Sequence, residues 1–382
     1  MTARTVQVLA LIVIVLFAAV FALNSRRDDG TTEEKLLFPG LKDHIDDIGE
    51  VTVADAAGSV TVKREDDRWI VPAKAGYVAN TDALRKVLIA VADARKVEQK
   101  TSNPELYERL GVADPMKDDS GGAVLLSSAG LGELDFALIL GNAVQQEYRY
   151  VRIADQAESW LIDQNPGVPE DISGWLAPDI VNIESSRIQS VTLTHDDGDA
   201  IHIHKDNKDA TNFTVDDIPD GRELSYPSVA NGTAAVLSNL GLEDVEADTG
   251  AGETNSTTTV FRTFDGLEIR VASSKEDDQT WITLAASAVQ PAPDAATAAG
   301  AGNESPPAGE DTGAAENSDG TATNEAGGPE QVTPPEEEEK KPDPKQEAAD
   351  INARVSGWRY QIADYKANQL TRSWDDLLKT EE

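Results

Sequence analysis

Residues 51–67, VTVADAAGSVTVKREDD, decide the fold, because they come back as residues 191–207, VTLTHDDGDAIHIHKDN. In the first copy Val51, Val53, Val60 and Val62 alternate with period two on either side of a turn at 56–59. That is the pattern of two antiparallel strands with one buried face. Asp66-Asp67 marks a further turn, and Trp69-Ile70-Val71, closed by Pro72, reads as a third strand. Phe213-Thr214-Val215 takes its place in the second copy.

Working outward, the same order of elements appears twice. After the first strands, Asn80 or Thr81 caps a helix whose face is Leu84, Val87, Leu88 and Val91, spaced three and four apart. A short helix follows, with Asn103 as cap, Pro104 in the first turn, Leu106 and Leu110 inside, and Gly111 as terminator. Strands are expected at 124–126, 134–140, 148–152 and 160–162, then a helical piece at 172–176. In the second half Pro227 opens a helix with Val229, Thr233, Val236, Leu237 and Leu240 on its face, and Gly241 stops it. The run GLEDVEAD at 241–248 answers ADARKVEQK at 92–100, and strands follow at 259–263, 267–271 and 281–284. An offset near 140 residues, from Val51 to Val191, is too long for a solenoid repeat and suits a duplicated domain.

From 287 to 350 the composition turns to Ala, Gly, Pro, Thr, Asn and acid, with Glu336 to Glu339 followed by Lys340-Lys341. Such a stretch cannot bury enough apolar surface to fold, so a disordered acidic insertion is expected there. Order returns in WRYQIADYKANQLTRSWDDLLK, 358–379, where Leu370, Trp374, Leu377 and Leu378 fall on one helical face. This end matches SWLIDQNPGVPEDISGWLAPDIV at the close of the first half. The insertion is therefore expected as a loop between neighbouring strands at 281–284 and 358–362. Loop closure costs little more as a loop lengthens, so the fold tolerates it.

Residues 5–23, TVQVLALIVIVLFAAVFAL, carry no charge, and Gln7 is their only strongly polar side chain. At about 1.5 Å of rise per residue they span a bilayer core. A signal peptide would have a shorter apolar run and a small-x-small cleavage site, and Ala22-Leu23-Asn24-Ser25 is a poor one. An uncleaved single-pass anchor is expected. Arg4 precedes the run and Arg26 and Arg27 follow it, so the flanking charge sets no clear inside face. With so few residues ahead of the helix, the N-terminus is expected in the cytoplasm and the body exported.

The fold class expected is α+β: two duplicated modules of antiparallel sheet with helices packed on one side, plus the N-terminal transmembrane helix. The boundaries are 5–23 for the anchor, 24–47 for a linker and docking segment, and 48–183 for the first module. The second module is 188–286 plus 351–382, with 287–350 as the insertion. Lys+Arg of 33 against Asp+Glu of 69 gives a net charge of −36, which repels nucleic acid and anionic lipid head groups, so no nucleic-acid partner is expected. Cysteine is absent, which removes disulfides and thiolate metal or redox sites.

ANTDALRKVLIAVADARKVEQKTSNPELYERLGVADP at 79–115 and the terminal WRYQIADYKANQLTRSWDDLL resemble the bacterial family called domain of unknown function 4340. The pattern is a tryptophan strand, a helix, then Tyr107, Leu110, Gly111, Val112, Asp114 and Pro115 in a Tyr-x-x-Leu-Gly-aliphatic-x-Asp-Pro run. The resemblance covers nearly all of the body. It implies an envelope protein with one N-terminal anchor, often encoded beside ABC export systems of the gliding-motility kind. It carries over no active site, and the acidic insertion departs from it.

The side chains that could carry chemistry have structural alternatives. His202 and His204 share one face of a strand with His195 across the turn, and two imidazoles at i and i+2 can share a metal. Matching the halves, however, puts them at the places of Thr61 and Lys63, on a solvent face, with no third or fourth ligand beside them. Acidic pairs at Asp46-Asp47, Asp66-Asp67, Asp118-Asp119, Asp196-Asp197, Asp216-Asp217 and Asp277-Asp278 sit at turn signals, where Asp bonds its own backbone. Asp196-Asp197-Gly198-Asp199 lacks the spacing and final glutamate of a calcium loop. No nucleophile elbow, P-loop or dinucleotide fingerprint is present. Trp69, Trp160, Trp175, Trp281, Trp358 and Trp374 read as core residues. No catalytic, cofactor or metal residue is assigned. The expected function is that of a non-enzymatic scaffold or accessory subunit of an ABC-type envelope transport assembly, acting by protein–protein contacts. An exported hydrolase or binding protein for cell-wall or surface polysaccharide is the alternative.

Overall fold

A computed structural model describes residues 35–116, 122–250, 256–290 and 343–380. The anchor expected at 5–23 and the pair Asp118-Asp119 lie outside these residues. Among the described residues no helix is long and apolar enough to cross a membrane. The chain forms two compact units: the first comprises the residues up to Pro178 together with Val245–Ala247, and the second comprises the rest. The architecture is mixed α+β with antiparallel sheets.

In the first unit Leu36 bridges to Arg95 and Leu37 is buried, and a 3-10 helix at Leu41–Asp47 follows with Leu41 buried. The strands are β1 (Glu50–Ala54), β2 (Ser59–Glu65), β3 (Arg68–Val71) and β4 (Tyr77–Val78). Helix α1 (Thr81–Asp93), strand β5 (Lys96–Gln99) and helix α2 (Tyr107–Leu110) follow, then β6 (Val124–Ala129), β7 (Ala137–Val144), β8 (Tyr148–Ile153) and β9 (Ser159–Ile162). They make one sheet in the order β4-β3-β2-β1-β6-β7-β8-β9-β5. Alternation decides what is buried: Val51 lies opposite Val62, Leu126 opposite Leu138 and Leu140 opposite Val151, and all six are core residues. Asn80 is the cap of α1, its side chain accepting from the Ala83 amide at 3.0 Å, and Leu84, Val87, Leu88 and Val91 are buried as their spacing requires. The helical piece near 172–176 is a single 3-10 turn, Ser173–Trp175.

The second unit opens with β10 (Asp179–Val181), β11 (Ile188–Thr194), β12 (Ala200–His204) and β13 (Thr214–Val215). It continues through α3 (Asn231–Ala234), β14 (Leu240–Gly241), β15 (Asp244–Ala247), β16 (Thr257–Thr263), β17 (Leu267–Glu276) and β18 (Gln279–Ala288). Last come α4 (Pro344–Val355), β19 (Trp358–Gln361), α5 (Asp364–Leu370) and α6 (Trp374–Leu377). The sheet order is β13-β12-β11-β16-β17-β18-β19-β15. Hydrogen bonding places the whole of β15 at this sheet's edge, although Val245–Ala247 group with the first unit by proximity. Apart from the extra edge strand β4, the two sheets have one connectivity. Their registers agree too: Thr52 pairs with Thr61, and Thr192 with His202. Strand β18 pairs with β19, Trp281 opposite Gln361 and Ile282 opposite Tyr360.

Four expectations need correction. The boundary between the units falls after Pro178, not at 183–188, because β10 pairs with β14 of the second unit. The helix expected from Pro227 shrinks to four residues at α3. Asn231-Gly232 is a poor helix former, and Gly232 lies where a Cβ would meet Gln369 Oε1 at 2.6 Å. The stretch expected as disordered over 287–350 is structured at both ends, where β18 runs to Ala288 and α4 starts at Pro344 with Asp343 as its cap, while 291–342 lie outside the described residues. The apolar face of α4, Ala348, Ile351 and Val355, is sparse enough to vanish in the composition of the residues before it. Finally, the C-terminal helical face is two short helices, since Ser373 starts a new capping box with Asp376.

Candidate functional site

The three histidines do not converge. His202 is exposed, and its Nδ1 lies 3.2 Å from Thr192 Oγ1, repeating the Thr52–Thr61 hydroxyl pair of the first sheet. His204 is half-buried rather than solvent-facing, because β13 brings Asp216 to 3.0 Å from Nδ1 while Asp206 stands 3.3 Å from Nε2. His195 donates from Nε2 to the Arg372 carbonyl at 2.9 Å and has Thr257 at 3.3 Å from Nδ1. Among the described residues no group of three His, Cys, Asp or Glu side chains could hold a metal ion.

Asp46-Asp47 ends the 3-10 helix at Leu41–Asp47, and two other acidic pairs make tight turns. Asp66 and Asp67 both have positive φ, as do Asp277 and Asp278. Each pair closes a two-residue hairpin, between Glu65 and Arg68 and between Glu276 and Gln279. Positive φ at both central residues is the turn that matches the strand twist. In 196–199 the Asp197 carboxylate accepts from the Asp199 amide, and Gly198 takes φ 88°.

The Tyr107–Pro115 motif builds a brace on the outer face of the first sheet. Tyr107, Val112, Ala123 and Ile139 form a buried cluster, flanked by Leu110, Leu125 and Tyr150. The Tyr107 hydroxyl donates to the Ala157 carbonyl at 2.5 Å, and the Arg152 guanidinium lies 4.7 Å over the Tyr107 ring. Arg152 Nε also donates to the Val112 carbonyl at 2.9 Å. Gly111 takes φ 67° as the helix terminator. Gly141 of β7 lets the Leu110 carbonyl come so close that a Cβ would stand 2.3 Å from it.

The corresponding patch of the second sheet is filled differently, with Trp281 buried in it. Following the registers outward from Val51 and Val191 sets Ala272 at the place of Ile139, Ser274 at Gly141, Trp281 at Tyr150 and Thr283 at Arg152. The β15–β16 connection, 248–256, is shorter than the 100–123 between β5 and β6, and its residues 251–255 lie outside the described residues. A small cavity of about 90 Å³ remains there, lined by Ala272, Ser274, Trp281, Thr283, Arg359 and Asp248. Arg359 lies 4.6 Å over the Trp281 ring and pairs with Glu276 at 2.8 Å.

The strongest charge cluster is Arg187 with Glu347 and Asp265. Arg187 reaches both Glu347 carboxylate oxygens, at 2.8 and 2.7 Å, and Asp265 at 2.9 Å. The Glu347 hydrogen bonds, outweighing burial, push the Arg187 pKa up, with Asp265 adding to them. Burial pushes the Asp265 carboxyl up, but the Thr263 hydroxyl and Arg187 together hold it below the usual carboxylate range. Lys366 donates to the carbonyls of Val236 and Ser238 at 2.8 and 2.7 Å, and burial lowers its pKa. Sequence reasoning singled out neither Arg187 nor Lys366; their partners lie 78 to 160 residues away.

Two antiparallel sheets of like connectivity define a mixed α+β protein. The family model described as Domain of unknown function (DUF4340) matches residues 69–269, a little over half of the chain, and the chain belongs to that family. The match runs from β3 of the first sheet into β17 of the second and includes the Tyr107–Pro115 brace. No curated protein and no solved structure matches the chain.

Proposed function

We infer that this chain is a non-enzymatic, membrane-anchored envelope protein, a scaffold or accessory subunit of an ABC-type transport assembly that works by protein–protein contact. Its two units are read as products of duplication. Residues 5–23 hold it in a bacterial inner membrane with the body in the periplasm. The observation that carries the proposal is the repeated strand order of the two sheets. A doubled sheet offers two related surfaces on one tether. The polar clusters described here are engaged in turns, caps and ion pairs that hold those sheets. For the alternative, a polysaccharide hydrolase or binder, the Trp281 cavity is the nearest candidate platform. Arg359 already lies over that ring, which withholds it from a sugar.

Crosslinking in intact membranes, followed by identification of captured neighbours, tests the proposal. Recovery of transporter components is the expected result, and a well-crosslinked sample without them would overturn it. A reporter enzyme active only in the periplasm, fused after Glu382, is expected to be active. A well-expressed but inactive fusion would reverse the orientation.

A further inference from the structure

We propose that α4 is a releasable strap on the second unit, held by a charge clamp and an amide clamp more than by its apolar face, and that its release uncovers the edge of β18. Of its twelve residues only Ala348, Ile351 and Val355 are buried. That is a thin seal for ordering so many backbone and side-chain torsions. On the flank facing Val181 and Ile183 a cleft of about 330 Å³ is left open beside Gln346, Asp350 and Arg354, so the packing on that side is incomplete.

The polar attachments are specific. Arg187, just before β11, grips both oxygens of Glu347 and reaches Asp265 in the β16–β17 turn. Asn352 donates from Nδ2 to the Ala286 carbonyl at 2.7 Å and accepts from the Ala286 amide at 2.8 Å. It thereby acts as a strand partner would, beyond the pairs that β19 makes at Trp281 and Ile282. The end of β18, Leu284 to Ala288, carries no charge and no proline to discourage pairing. The strap is the cover for that edge. An element attached by a few polar contacts over a thin core opens locally, before the sheet beneath it.

Hydrogen exchange on the full chain tests this, with Arg187→Gln and Asn352→Ala as variants. Losing hydrogen bonds to a charged group, or the amide pair, is expected to speed exchange of the amides of 348–355 and of Ala286 by about tenfold or more. Amides in the middle of β11 and β16 are expected to keep their rates. Wild-type rates throughout α4 in both variants would overturn the proposal. So would an equal acceleration across β11 and β16, because α4 would then be an integral part of the sheet's cooperative unit. If Arg187→Gln does not fold, the Asn352→Ala result decides.

Discussion

Replacing Gly141 by alanine puts the motif brace under direct test. The backbone at Gly141 is not left-handed, so alanine meets no torsional penalty there; the effect is steric. The new Cβ would stand 2.3 Å from the Leu110 carbonyl oxygen, 2.7 Å from Val112 Cγ1 and 3.0 Å from the Gly111 carbonyl oxygen. Ordinary contacts begin near 3.5 Å, so residues 110–112 must retreat by about 1 Å. That segment is tied down: Arg152 bonds the Val112 carbonyl, the Val112 amide bonds the Tyr107 carbonyl at 3.0 Å, and Asn142 bonds the Arg109 carbonyl. Overpacking of this kind costs about 1–3 kcal/mol. Stiffening of the unfolded chain returns about 0.4–1 kcal/mol. The net expectation is a loss of about 1–2 kcal/mol, a fall in melting temperature of about 2–8 °C for a unit of this size. Gly167→Ala is the control, with nothing within 4 Å of the added Cβ, and it should be neutral or slightly stabilising. Thermal unfolding of the full chain reads both, and hydrogen exchange over 107–113 localises the damage. A Gly141→Ala protein that melts with the wild type and keeps its protection over 107–113 would refute the close approach and the structural role given to the motif.

Three further outcomes follow from particular contacts. Asn80→Ala removes the side-chain acceptor of the Ala83 amide and should cost about 1 kcal/mol by denaturant titration; no change would mean α1 starts elsewhere. Asp66→Asn with Asp67→Gly gives the hairpin the residues that its two positive φ values favour, and should raise the melting temperature by a degree or more, about a few tenths of a kcal/mol or above; a fall would mean the Asp67 pair with Arg64 matters more. The Asp265 pKa is lower folded than unfolded, so its contribution is present above the unfolded pKa and is lost as pH falls through the folded one. Acid titration followed by stability should therefore show a smaller loss over that window in Asp265→Asn than in the wild type, and identical acid profiles would remove Asp265 from the clamp.

The histidines and acidic pairs show how local patterns serve and fail. Asp66-Asp67 and Asp277-Asp278 were legible as turns because turn chemistry lies within a few residues. His202 was legible as a solvent-facing strand residue because period two carries that information. His204 was not, because Asp216 reaches it only once β13 has paired with β12. The Arg187 clamp was invisible for the same reason, with Glu347 160 positions away.

By itself the sequence determined the α+β class, the alternating buried positions of β11 and β12, the burial of Val51 and Val62 in β1 and β2, the cap of α1, and the recurrence of one element order. These follow from periodicity and turn chemistry, which act over a handful of bonds. Only the tertiary structure decided that β10 joins the second unit, that 344–355 is a helix clamped by Arg187 and Asn352, that the helix after Pro227 is cut short, and that Gly141 makes room for the Leu110 carbonyl. Those outcomes depend on which distant backbone and charge come into contact, and that is set by packing, not by local spacing.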